Sequence, residues 1–143
     1  ESERMKVKRK KEKVKLRKEV LRERKALSPS VMKKKCDSIF SLIIRFRDKK
    51  CLHCKGEKNL QNAHLINRTN LAHRWDEESC ICLCWVCHLK WSHLHPLDFH
   101  LWLNDVYPEK YKYWLTHKDD IQSVSIDYAD LKSRLEKRLE EVK

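Results

Sequence analysis

Two Cys-x2-Cys hooks, Cys51-Leu52-His53-Cys54 and Cys84-Trp85-Val86-Cys87, constrain this chain more than anything else in it. Each hook presents two sulfurs from a tight turn, and four thiolates suit one tetrahedral zinc, so the two stretches must meet in the fold. The 29 residues between the hooks hold a strand, a loop and a second strand. Lys55-Gly56 supplies a residue tolerant of φ > 0 where the first hook folds back on a metal. Cys80, Cys82 and Cys84 alternate on one face of the second strand, so Cys80 or Cys82 competes as a ligand. Only Cys84 and Cys87 form a two-residue hook, which favours that pair. His64 and His88 are not needed to complete this structural zinc and are free for another role.

Seven cysteines raise the alternative of disulfides. Their odd number, the paired hooks and the absence of a visible secretory signal favour reduced thiols and a metal in a cytoplasmic setting. No apolar run is long enough to cross a membrane, so no membrane partner is expected. Charged residues make up 38% of the 143, and Gly occurs once, which points to helices joined by short connections. The expected fold class is therefore α+β, mostly helical, with a small zinc-stapled hairpin and helix flanked by N- and C-terminal helices. Four regions are expected: a basic helical arm over 1–27, an amphipathic helix over 28–50, a zinc core over 51–95 and a helical extension over 96–143.

The formal net charge of +12 sits at one end. Residues 1–50 hold 20 Lys/Arg against 7 Asp/Glu, whereas residues 51–143 hold 13 against 14. Such asymmetry points to a polyanion, most simply nucleic acid, held by the N-terminal part. Val7, Val14 and Leu21 recur every seventh residue, but Lys10, Arg17 and Arg24 stand where a second apolar row would be, so the pattern does not make a coiled coil. Ser28-Pro29 reads as a cap and first turn. Met32, Cys36, Ile39, Phe40, Ile43 and Ile44 then form a core-facing stripe, opposite Lys33, Lys34, Lys35, Arg45 and Arg47. Asn59 to Asn67 reads as a strand carrying His64, Arg68 to Glu78 as a loop, and Cys80 to Cys84 as a second strand.

Pro96 and Pro108 open two further helices. Leu97, Leu101, Trp102 and Val106 are expected inward on the first, and Tyr111, Trp114 and Leu115 on the second. A last helix from near Ser125 carries Tyr128, Leu131, Leu135, Leu139 and Val142. That stripe packs on the domain or pairs two subunits of a homodimer. His53 reads as a spacer on the first hook, and His95, His100 and His117 as ordinary surface histidines.

The hooks, the Ala63-His64 strand and the Cys84-x2-Cys87-His88 turn resemble the HNH (ββα-metal) endonuclease superfamily. The lysine-rich arm, the Ser/Pro-opened helix and the stretch Arg74-Trp75-Asp76-Glu77 resemble its phage NinG-like recombination branch. The resemblance spans most of residues 10–110. It implies a metal-dependent endonuclease that hydrolyses DNA phosphodiester bonds, duplex or branched, in phage recombination or processing, within a bacterial or phage-infected cytoplasm. The alternative is a non-catalytic zinc module that only binds nucleic acid.

The same resemblance implies roles for single residues. His64 matches the general base that activates water, a task that suits a neutral imidazole near pH 7. His88 matches the ligand of a catalytic divalent ion, Mg²⁺ or Mn²⁺. Ser79 falls where a bracing Asn usually stands. Many HNH proteins carry an acidic ligand just before the base, where this chain has Ala63. Asn62, His73, Asp76 and His93 are the alternatives, His93 being nearest to His88 in sequence. Arg68, Arg74, Lys90 and Lys33 to Lys35 are the candidate phosphate contacts.

Overall fold

The computed structural model describes residues 2–120 and 124–143. Glu1 of the expected arm and 121–123 of the expected extension lie outside the described residues. The elements are helices α1 (Glu3–Ala26) and α2 (Pro29–Asp48), strand β1 (Leu60–His64), a short 3-10 turn (Glu77–Ser79) and strand β2 (Cys80–Cys84). A π-helical segment (Val86–Ser92) follows, then helices α3 (Pro96–Val106), α4 (Pro108–His117) and α5 (Tyr128–Val142). The chain is thus α+β and mostly helical. Among the described residues no helix is long and apolar enough to cross a membrane.

β1 and β2 form an antiparallel hairpin in the register Leu60↔Cys84 to His64↔Cys80. Because side chains alternate along a strand, β2 serves two cores. Cys80 and Cys82 face Cys36, Phe40, Ile43 and Ile44 of α2 and Leu131 and Leu135 of α5. Ile81 and Leu83 face Ala63, Phe99, Leu103 and the hook cysteines Cys51 and Cys87. Phe40, Ile43, Ile44, Ile81, Leu83 and Leu103 are fully buried, each worth about 1.5–3 kcal/mol of burial.

A two-stranded sheet leaves an open edge, and the end of α2 closes it. Asp48 Oδ2 accepts from the Cys82 amide at 2.9 Å, and the Arg47 guanidinium donates to the carbonyls of Cys80 (2.8 Å) and Glu77 (2.6 Å). Arg47, expected on the solvent face, is therefore a structural clamp. Ser28 holds the N-cap position of α2, but its side chain makes no capping hydrogen bond. Lys49 ends the helix in the left-handed region at φ 66°.

The stripe on α5 packs on α2: Leu131 and Leu135 are buried there, with Tyr128, Leu139 and Val142 beside them. Of the two expectations for this stripe, the intramolecular one holds. On α3 the inward face is Phe99, Trp102 and Leu103. Leu97, Leu101 and Val106, expected inward, are exposed, as is Leu115 on α4. The short link between α3 and α4 orients α3 by Phe99 and Trp102, which pack with Trp91 in an aromatic cluster. Every described residue of α1 is exposed, so the basic arm contributes no core.

Candidate metal centre and histidine cleft

The hairpin turns the two hooks toward each other. The Sγ atoms of Cys51, Cys54, Cys84 and Cys87 all lie within 4.8 Å of one another. Cys54 Sγ and Cys84 Sγ are 3.7 Å apart, close to the roughly 3.8 Å edge of a tetrahedron with zinc–sulfur bonds of 2.3 Å. The amides of Gly56 and Cys87 point at Cys54 Sγ and Cys84 Sγ, each at 3.4 Å, as donors to thiolates. Burial pushes the Cys51 thiol up, but the backbone amides of Cys84, Cys54 and His53 outweigh this and bring it down to about 7. The donor set fits a zinc-type ion.

Two expectations about the hooks need correction. The positive φ lies at Lys55 (66°), not at Gly56. At Gly56 a Cβ would stand 3.3 Å from Cys54 Sγ, a tight contact against a hook sulfur. His53 is not a surface spacer: its ring stacks on Trp91 with centroids 3.7 Å apart, and its Nδ1 lies 3.3 Å from Cys87 Sγ. Cys80 and Cys82 drop out as competing ligands, because they face the α2–α5 core and do not join the four-sulfur cluster.

On the other side of the hairpin lies an open cleft of about 800 Å³ between α2 and β1. His64, His88 and His93 all line it, with Gln61, Asn62, Asp37, Arg45 and Arg68. The two principal histidines are held in opposite tautomers. His64 Nε2 lies 3.0 Å from the Arg74 carbonyl oxygen, which can only accept, so Nε2 carries the proton and Nδ1 keeps its lone pair. His88 Nδ1 donates to Gln61 Oε1 at 2.8 Å, so the lone pair is on Nε2. Burial pushes His88 down to about 4, helped by the neighbouring His93 and His64 rings. Burial also lowers His64, against the opposing pull of its bond to Arg74. Both rings are neutral near pH 7. The ring of His93 meets that of His88 edge-on, centroids 4.6 Å apart.

Ser79 is fully buried at the foot of the loop, and its Oγ lies 2.7 Å from the His73 carbonyl and 3.0 Å from that of Asp76. It therefore braces the chain next to the carbonyl that holds His64. Ala63 packs in the Ile81–Leu83 core and does not line the cleft, and its methyl group offers no ligand.

Other sequence candidates fall elsewhere. Arg74 is only 7% exposed. It forms a two-pronged pair with Asp37 (2.9 and 2.6 Å) and donates to the Arg68 carbonyl at 3.0 Å, which leaves it no fork for a phosphate. Trp75 Nε1 donates to the same Asp37 carboxylate. Lys90 stands over the Trp85 ring, outside the cleft. Lys34 and Lys35 line a separate shallow groove with Lys132, and Lys33 is likewise outside the cleft. Only Arg68 of the proposed phosphate contacts lines it, joined by Arg45 from α2. Of the alternative ion ligands, Asn62 and His93 line the cleft. His73 and Asp76 belong to a different cluster around Tyr113 and Asp120.

Gln61 escaped the sequence reading because a lone glutamine on a strand carries no signal until its partner across the cleft is known. Comparison with known protein families, curated proteins and solved structures found no match to this chain.

Proposed function

We propose that this chain is a metal-dependent endonuclease of the HNH type, hydrolysing DNA phosphodiester bonds in recombination or processing of duplex or branched DNA. The observation that carries this reading is the pair His64 and His88 on one cleft, each with one ring nitrogen tied to the protein and the other bearing a lone pair. His64 Nδ1 is the base: it takes the proton of the attacking water, and the bond from Nε2 to the Arg74 carbonyl stabilises the imidazolium that results. His88 Nε2, with help from His93 and the Asn62 amide, would hold a divalent ion such as Mg²⁺ or Mn²⁺. Bound there, such an ion supplies positive charge to the scissile phosphate and the leaving 3′ oxygen. Arg45 and Arg68 position the phosphate backbone. The four-cysteine zinc fixes the hairpin that carries β1 and hence His64.

The basic arm α1 supplies sequence-independent affinity: residues 1–26 hold 13 Lys/Arg against 5 Glu, and contacts of that kind release counterions. A second reading, a zinc module that binds nucleic acid without cutting it, is favoured by one observation. Among the described residues that line the cleft the one carboxylate is Asp37, and it is engaged by Arg74 and Trp75, which leaves an ion no free acidic ligand among them. Supercoiled DNA incubated with the protein and Mg²⁺ or Mn²⁺ separates the two. Nicking by the wild type that is lost in His64→Ala, with DNA binding retained, supports the nuclease. Binding with no nicking under either ion supports the module.

A further inference from the structure

A second group of ligating side chains lies away from both the cysteines and the cleft. Asp120 Oδ2 stands 2.9 Å from His73 Nε2 and 2.8 Å from His117 Nδ1. The three atoms all fall within 4.8 Å of one another. His73 comes from the loop before β2, His117 from the end of α4, and Asp120 follows α4.

The hydrogen-bond directions around His73 limit what can sit there. The Tyr113 hydroxyl donates its proton to Asp76 Oδ2, because that carboxylate can only accept. Its oxygen, 3.2 Å from His73 Nδ1, is then an acceptor, and Nδ1 carries the ring proton. With Nδ1 donating, Nε2 meets the Asp120 carboxylate at 2.9 Å either through a second ring proton or through a bound cation that both atoms ligate. The chain Nδ1–H to tyrosine hydroxyl to carboxylate is also the outer support that orients and strengthens a metal-bound imidazole. Asn70 Nδ2 donates to the Asp120 carbonyl at 2.7 Å and anchors the third ligand.

We propose that His73 Nε2, His117 Nδ1 and Asp120 Oδ2 form a second binding site for a divalent transition ion. Two imidazoles and one carboxylate suit the zinc class of ions rather than Mg²⁺ or Ca²⁺, which prefer all-oxygen shells. The site ties the 65–79 loop to the end of α4. Because His73 precedes Arg74, the ion also steadies the carbonyl that holds His64. The ligand set itself stands on His73, His117 and Asp120 alone and holds whether or not the cleft cuts DNA.

The test uses the full chain and Co²⁺ as the probe. Thiolate-to-cobalt absorption in the near ultraviolet reports the four-cysteine site. Further Co²⁺ added after that absorption saturates is expected to shift the ring NMR signals of His73 and His117. Bound metal, counted by elemental analysis after dialysis against Zn²⁺, is expected to fall by one equivalent in His117→Ala and in Asp120→Asn, and to stay at the wild-type count in His95→Ala, whose histidine is exposed and belongs to neither group. Ring shifts confined to other histidines would overturn the proposal. So would equal metal content in the wild type, His117→Ala and Asp120→Asn. The cobalt measurement needs no variant and decides the matter if a substitution unfolds the loop.

Discussion

The Nε2 of His64 is held 3.0 Å from the carbonyl oxygen of Arg74, ten residues along the chain on a loop that leaves β1 and returns as β2. This bond fixes the histidine's tautomer, so the loop's own order matters to the chemistry. The Ser79 hydroxyl braces that loop through the His73 carbonyl at 2.7 Å. Ser79→Ala leaves a buried carbonyl without its donor, which costs about 1–3 kcal/mol. A lower melting temperature is expected, together with a cutting rate at saturating DNA that falls more than DNA affinity does. Equal losses in rate and affinity would mean that Ser79 supports the fold alone.

The proposed zinc site separates the four hook cysteines from Cys36, Cys80 and Cys82 of the α2–α5 core. Cys84→Ala should lose the bound zinc and unfold the hairpin, because such a site supplies much of the local folding energy. Cys80→Ala should keep its zinc and lose about 1 kcal/mol, the ordinary cost of a small core deletion. Zinc content by elemental analysis, with thermal unfolding, distinguishes the two; full zinc content in Cys84→Ala would refute the ligand set.

The cationic residues divide in the same way. Arg74→Ala breaks a pair whose arginine is buried and whose Asp37 partner is 30% exposed. A destabilisation of roughly 2 kcal/mol is expected, between the values for exposed and fully buried pairs. Its plot of log Kd against log salt should keep the wild-type slope. Deleting residues 2–26 removes no buried side chain and should flatten that slope. A flatter slope in Arg74→Ala would return Arg74 to the phosphate contacts.

Burial and the neighbouring His93 and His64 lower His88 to about 4 from its ordinary 6.5. Between these values the unfolded chain binds a proton that the folded chain does not, so stability falls as pH drops from 6.5 toward 4 and is fully present above 6.5. His88→Ala removes this contribution, and its melting temperature should fall less than that of the wild type between pH 7 and pH 5. Burial lowers His64 as well. The acid limb of the cutting rate should therefore have its midpoint below 6.5, and a midpoint at or above 6.5 would contradict the environment described for His64.

Much of this arrangement was legible from residue spacing. The two hooks predict the hairpin because thiolates at fixed intervals leave few ways to meet, and the apolar stripe on α2 follows from helical periodicity. α3 defeated the same reasoning: its leucines at 97 and 101 form an equally regular face, and the aromatic cluster around Trp91 rather than periodicity turned Phe99 and Leu103 inward. Arg47 read as solvated charge and Arg74 as a phosphate contact because the carboxylates and carbonyls they bind are supplied by tertiary contacts. The His73–His117–Asp120 group spans 47 residues and has no motif spacing. His64 and His88 stood out only because they sit beside the hooks.

The separate roles given to His64 and His88 are tested most directly by the single-turnover cutting rate at saturating DNA as a function of Mg²⁺ or Mn²⁺ concentration. His64→Ala should lose the rate by at least 100-fold, the scale of a general base, with the half-saturating ion concentration unchanged. His88→Ala should shift that concentration upward. A His64→Ala variant that cuts at the wild-type rate, or one whose defect is repaired by more ion, would contradict the account.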